Sequence, residues 1–213
     1  MLPELKPMKL EEIFADSFEL SKKLAEDFGR LLILIALSIV PILNFIVVGY
    51  GYRIVQIGRK ELPELNNYLD LFINGLKIVV VVLIYFVTPV LIIIASIGFK
   101  FSLVVIPVLL LSISLLFLLA IVAAIGIVHM IVNNSMAKAF AIGEIMNIIS
   151  KIGWNKYILW LFVIFAVSII VSAFQSIPRI GWIILGVLAP FYTVFSARAS
   201  YLIYMEAEYE RID

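Results

Sequence analysis

The chain has no cysteine, one histidine and two glutamines among its 213 residues. Without Cys there is no disulfide, no thiolate nucleophile and no Cys-ligated metal. The one imidazole, His129, finds only Val132 and Asn133 at its i+3 and i+4 positions, so helical spacing supports no zinc site. Its expected role is hydrogen bonding near a membrane surface. Lys, Arg, Asp and Glu are all missing from five long stretches, 31–52, 78–97, 101–132, 157–174 and 180–197. Coupled carriers commonly hold a carboxylate at mid-membrane, so this absence disfavours one. No serine has a base at useful spacing, and neither a P-loop nor a Gly-rich dinucleotide fingerprint is present. The net charge of +1 leaves no basic footprint for nucleic acid. The expectation is a protein that is not an enzyme, with no cofactor and no metal.

What the chain does have is apolar surface. It is 64% hydrophobic with a mean hydropathy of +1.15, more than a soluble domain of this size can bury. Stretches of about 18 apolar residues suffice to cross a hydrocarbon core roughly 30 Å thick. The first 30 residues carry twelve charges and no apolar core, so no cleavable signal peptide is expected. Abundant Ile, Val, Lys and Glu with few Gln match the thermophile bias.

The basic residues set the threading. Five spans would leave seven Lys and Arg on one side and nine on the other, against the positive-inside rule. If residues 31–57 instead form a hairpin turning near Pro41 and Asn44, fourteen fall on one face and only Lys100 and Arg179 on the other. That distribution predicts a multi-pass cell-membrane protein with both termini cytoplasmic. Pro41 favours the turn, because it lacks an N–H and clashes with the preceding helical turn. Ten residues from Leu31 to Val40 rise only about 15 Å, so the hairpin is expected to be short or re-entrant, or else continuous with the amphipathic helix before it. A single span over 31–57 is the alternative.

The expected fold is all-α: four full spans, a short N-terminal hairpin, and three amphipathic helices on the cytoplasmic face. The first helix would turn Leu10, Ile13, Phe14, Phe18, Leu24 and Phe28 inward. The second would begin with Pro63 at N1 and carry Leu65, Tyr68, Leu69, Phe72, Ile73 and Leu76 as its stripe. The third, capped by Asn134 or Ser135, would carry Met136, Phe140, Ile145, Met146, Ile149 and Ile152. Each ends at a glycine followed by a basic residue: Gly29 with Arg30, Gly75 with Lys77, Gly153 with Lys156. The chain reads as a single membrane domain, divisible into units 1–60, 61–133 and 134–213, or else as ordinary spans joined by amphipathic loops.

The run from Pro41 through Gly49-Tyr50-Gly51-Tyr52-Arg53, then Leu62-Pro63-Glu64-Leu65 and Phe72-Ile73-Asn74-Gly75-Leu76-Lys77, resembles the family known as domain of unknown function 4013. The resemblance implies a polytopic membrane protein of archaeal, or less often bacterial, type. It implies no catalytic residue.

The candidate polar membrane site comprises Asn44 and Arg53 from the hairpin with Thr193, Ser196 and Arg198 from the last span. Arg198 and Arg53 either snorkel to the cytoplasmic surface or hold an anion or lipid headgroup. The other hydroxyls in the spans, Ser112, Ser114 and Ser168 among them, are expected to bond between helices. Two functions stay open: a non-enzymatic scaffold that binds lipid or a partner, and a small transporter or channel with its site at the hairpin. The partners expected are anionic lipid headgroups on the cytoplasmic face, and a partner protein or a second copy.

Overall fold

The structure, a computed structural model, describes residues 7–97 and 105–209. Lys6, Lys100 and Arg211 lie outside the described residues. Among the described residues eight α-helices run in the order α1 (Leu10–Glu26), α2 (Phe28–Ile39), α3 (Asn44–Ile57), α4 (Tyr68–Ile97), α5 (Val105–Val132), α6 (Ile142–Ile152), α7 (Trp154–Ala173) and α8 (Gly181–Tyr209). Short 3-10 turns at Met136–Phe140 and Phe174–Ser176 complete them, and no strand occurs among the described residues. Four segments are long and apolar enough to cross a membrane: Tyr68–Ser96, Val105–Val132, Trp154–Ser176 and Gly181–Glu208.

Residues 31–57 are a broken hairpin, not one helix. Val40 turns extended (φ −94°, ψ 115°), and α3 restarts where the Asn44 N–H donates to the Val40 carbonyl at 2.9 Å. The two arms are antiparallel. Arg30, in the first turn of α2, donates to the Tyr50 hydroxyl at 3.4 Å and to the Leu62 carbonyl at 3.3 Å. Both ends of the hairpin therefore return to one end of the bundle.

Helix α8 measures how deep the hairpin goes. Gly58 at the end of α3 meets Arg198, Gly51 meets Thr193, and Ile39 near the tip meets Gly186. Twelve residues separate Arg198 from Gly186, about 18 Å of helix, and α8 continues five residues beyond. The arms of 12 and 14 residues rise about 18 and 21 Å, short of a 30 Å core. The hairpin is re-entrant.

Helices α3 and α4 cross in backbone-to-backbone contact. A Cβ on Gly49 would lie 1.8 Å from the Leu71 carbonyl oxygen, and one on Gly75 would lie 1.9 Å from that of Phe45. Only glycine permits backbones this close. Gly75 is thus a crossing-point residue and not the end of a separate helix, because α4 runs unbroken from Tyr68 to Ile97. Pro63 lies outside any helix, and most of the stripe expected over 65–76 is turned away from the protein. Tyr68, Leu69, Ile73 and Leu76 are exposed while Leu71, Asn74 and Gly75 are buried. Of the expected residues only Leu65 and Phe72 pack inward.

The other two short helices fit the reading more closely. Helix α1 buries Ile13, Ser17, Leu20, Ser21 and Leu24 in contact with α8, but Phe18 and Phe28 face outward. It ends at Asp27 and not at Gly29. Asp27 breaks the helix and caps α2, its carboxylate accepting the Arg30 N–H at 3.0 Å. Helix α6 buries Ile145, Ile148, Ile149 and Ile152, leaves Met146 exposed, and stops at Gly153 (φ +88°). The core sits in the half of the bundle nearest these helices. In the far half the spans show Ile106, Leu110, Leu111, Phe165, Ile169 and Ile170 to the surroundings.

Candidate functional site

At the end of the bundle where α3 stops and α8 approaches its C-terminus, charged side chains tie distant segments together. Arg198 on α8 is 6% exposed. Its Nε donates to Asp16 of α1 at 2.7 Å and its Nη1 to the Gly58 carbonyl at 2.8 Å. Lys60 reaches the other Asp16 oxygen at 3.1 Å and Glu19 at 2.7 Å. Burial pushes the Asp16 carboxyl up, but the Arg198 and Lys60 cations together outweigh it and hold the group below its usual range. Lys60 also lowers Glu19, and both carboxylates raise Lys60 in return. Arg198 neither snorkels nor waits for an anion. It is the buttoned end of a three-element lock.

Arg53 has a similar structural role. Its Nη1 donates to the carbonyls of Glu64 and Asn66, both at 3.0 Å, and to Asn66 Oδ1 at 2.8 Å; Nη2 pairs with Asp70 at 3.2 Å. The guanidinium fastens the irregular 58–67 connection to α3 and to the start of α4. Thr193 packs against Gly51, and Ser196 bonds back to the Thr193 carbonyl at 3.3 Å. Asn44 stands apart at the hairpin tip, seven residues and about 10 Å of helix before Gly51. The five candidate residues therefore occupy three levels of the bundle. Only Thr193 and Ser196 share a cavity.

Ser112 and Ser114 do not cross between helices as expected, whereas Ser168 of α7 also meets the Tyr192 hydroxyl of α8. Ser112, Ser114 and Ser168 donate to carbonyls three or four residues back in their own helices. Tyrosines make the connections instead. Tyr85 donates to the Ala139 carbonyl at 2.6 Å, Tyr50 to that of Pro63 at 2.9 Å, and Tyr157 to that of Ile121.

His129 has a partner that helical spacing could not reveal. Helix α6 folds back and places Glu144 at 2.8 Å from Nε2, while the Tyr204 hydroxyl sits 2.8 Å from Nδ1. Lys138 completes the group at 2.6 Å from Glu144. Lys138 first, and His129 second, hold the Glu144 carboxyl below its ordinary value. Among the described residues no three His, Asp or Glu side chains gather as metal ligands.

Ion pairing changes the electrostatic picture of this face. Among the described residues, twelve Lys and Arg share this face with twelve Asp and Glu, a net of zero. Lys156 is tied to Glu206, and that carboxylate also accepts the Met8 N–H at 2.8 Å. Lys22, Arg59 and Lys151 make no ion pair with another described residue.

Among the described residues, two spaces with largely apolar walls lie within the bundle. One, of about 440 Å³, opens between α4, α5 and α7 and is lined by Phe86, Ile113, Phe117, Ala120, Leu161 and Phe165, among others, with no charged residue. The second, of about 310 Å³, lies between α3, α5, α7 and α8, where Gly51, Val55, Ala124, Trp160, Thr193 and Ser196 are among its walls. The small residues Ala120 and Ala124 on α5 help keep the two spaces open.

The model for the family described as Protein of unknown function (DUF4013) matches residues 33–178. The chain belongs to that family. The matched region runs from the re-entrant hairpin through α7, so the DUF4013 match contains both glycines of the α3–α4 crossing and the His129–Glu144 pair. No curated protein and no solved structure matches the chain.

Proposed function

We propose that this DUF4013 protein is a non-enzymatic integral membrane protein that holds membrane lipid between its helices, with both termini in the cytoplasm. The observation supporting this reading is the wholly apolar cleft between α5 and α7. Its volume, about 440 Å³, falls in the 300–1,000 Å³ range of small-molecule sites, and it lies along the membrane spans where acyl chains are the surrounding solvent. Helix α7 buries only Tyr157 and Trp160, so it leans on the bundle at one end and leaves room for a chain along the rest. The near-neutral basic face argues that the chain, more than the headgroup charge, supplies the attraction. Lys22, Arg59 and Lys151 are among the cations left to meet an anionic headgroup.

Filling the cleft tests it. Leu116→Trp together with Ala120→Leu is expected to remove lipid that co-purifies with the wild-type protein, read by native mass spectrometry, with the thermal midpoint in detergent held within a few degrees. Unchanged lipid retention would count against the reading. The same spectra report whether a second copy is bound.

A transporter or channel is the second reading. It draws on the re-entrant hairpin, whose Val48, Gly51, Tyr52 and Val55 form one wall of the smaller cavity. Ion or solute flux in proteoliposomes would favour it over lipid binding.

The threading has its own test, made clean by the native absence of Cys. Arg179→Cys is expected to react with an impermeant thiol reagent added outside intact cells, while Lys60→Cys and Lys151→Cys stay unreacted. Arg179 sits at an exposed turn between α7 and α8, at the opposite end from the ion-paired face. External labelling at Lys60 would reverse or refute this threading.

A further inference from the structure

One wall of the smaller cavity differs from the rest. Thr193, Ser196 and Ser200 of α8 all line it, at i, i+3 and i+7, so their hydroxyls share one helix face in a row about 10 Å long. All three residues are partly exposed. A hydroxyl inside a helix ordinarily bonds to a carbonyl of the preceding turn, as Ser112, Ser114 and Ser168 do. Ser196 does so only at 3.3 Å, and among the described residues the Thr193 and Ser200 hydroxyls have no hydrogen-bond partner. Helix α5 supplies another wall, where Ala124, Ile127, Val128 and Ile131 recur at helical spacing and offer no polar side chain. No charged residue lines the space. Arg198, beside the row in sequence, is engaged with Asp16 and the Gly58 carbonyl, and Lys77, next to Ile78, with Asn74.

We propose that this cavity binds the uncharged, hydroxyl-bearing headgroup of a single-chain amphiphile, of the glycerol kind, while its chain lies in the adjoining α5–α7 cleft. Leu161 lines both spaces, so one molecule can occupy the two together. This inference rests on the lipid-binding reading and adds to it the chemistry that selects the lipid. Each hydroxyl of the row both donates and accepts, so a ligand hydroxyl can meet it in either sense, whereas an ester or ether oxygen only accepts. A phosphate headgroup would give up its water for a space without a cation, which is costly. A bare alkyl chain would leave the row unpaired. Water can meet the row but not the α5 wall, and each molecule needs several polar partners. A glycerol headgroup sets its hydroxyls against α8 and its carbons against α5.

The test titrates the full chain, purified in detergent, with three probes that share one oleoyl chain: monoolein, methyl oleate and oleoyl lysophosphatidic acid. Native mass spectrometry reads the occupied fraction. Monoolein is expected to half-fill the protein at about tenfold lower concentration than either of the others, the factor that one or two buried hydrogen bonds supply. Thr193→Val with Ser200→Ala removes both free hydroxyls with little change of shape. It should bring monoolein to the methyl oleate level and leave methyl oleate unchanged. Without ligand its thermal midpoint should stay within a few degrees of wild type, since neither hydroxyl bonds within the protein. Equal binding of monoolein and methyl oleate to wild type, a comparison that needs no variant, would overturn hydroxyl selection and leave lipid binding intact. Lysophosphatidic acid binding as tightly as monoolein would overturn the preference for an uncharged headgroup. A monoolein preference that survives in the double variant would place the headgroup elsewhere and overturn the site. Binding of none of the three would overturn it too, and lipid retention by the cleft would then stand or fall separately on Leu116→Trp with Ala120→Leu. A marked loss of stability in the ligand-free double variant would mean that the row already has partners, and would overturn the inference as well.

Discussion

Gly49→Ala is expected to destabilise the protein by about 3 kcal/mol or more, among the largest effects of any single methyl added to this chain. The methyl would enter 1.8 Å from the Leu71 carbonyl oxygen and 2.5 Å from the Leu71 carbonyl carbon. Those atoms belong to the backbone of a long helix, so no rotamer change can relieve the overlap. Either α3 and α4 move apart along their crossing or the re-entrant hairpin leaves its seat. Gly75→Ala should behave alike, because its methyl would meet the Phe45 carbonyl oxygen at 1.9 Å from the opposite side. Gly143 supplies the contrast. It lies in α6 with nothing within 4 Å of an added Cβ, so Gly143→Ala should be neutral or stabilise by up to about 1 kcal/mol through helix propensity. Apparent melting midpoints in one detergent compare the three. A Gly49→Ala midpoint equal to wild type would show that the crossing is not this close.

The crossing also marks where sequence reasoning reached its limit. Uncharged runs and the placement of Lys and Arg were enough to find the four spans and to prefer a broken hairpin, because membrane thickness and charge cost act on whole segments. Gly75 was misread because a helix stop and a helix crossing use the same residue for different reasons: freedom of φ in one case, absence of Cβ in the other. Only the partner helix distinguishes them. The stripe Leu69, Ile73 and Leu76 misled for a related cause. Beside lipid, apolar periodicity does not say which face turns toward protein, since both sides are apolar. His129 with Glu144, and Arg198 with Asp16, are pairs 15 and 182 residues apart, and no local spacing could join them. One signal was available. An arginine between two alanines at the end of the last charge-free run calls for a carboxylate, and all fifteen Asp and Glu lie outside the five charge-free runs, so a segment beyond those runs had to reach α8.

Asp16→Ala is expected to cost about 3–5 kcal/mol, because it strands the buried Arg198 guanidinium without its counter-charge. The side chains of the pair are 7% and 14% exposed, with a 2.7 Å bond between them. Asp70→Ala removes an ion pair of similar appearance, but its carboxylate is 60% exposed and solvent replaces it, so about 1 kcal/mol or less is expected. Replacing both members, as Asp16→Leu with Arg198→Met, should recover much of the loss, since an apolar pair needs no desolvation. If the double variant is as unstable as Asp16→Ala, the packing and not the charge is what holds α1 to α8. Acidity offers an independent measurement. The Asp16 carboxyl is held below its unfolded value, near 3.9, so the stability it contributes is complete above that value and is lost as pH falls through the lower folded one. Glu19 and Glu144 are lowered too and add to the acid limb of both proteins compared. The difference between wild type and Asp16→Asn isolates one group. It should be constant from pH 7 to about 5 and shrink below about pH 4. A difference that stays constant down to the lowest pH at which the protein remains folded would show that Asp16 is not charged in this lock.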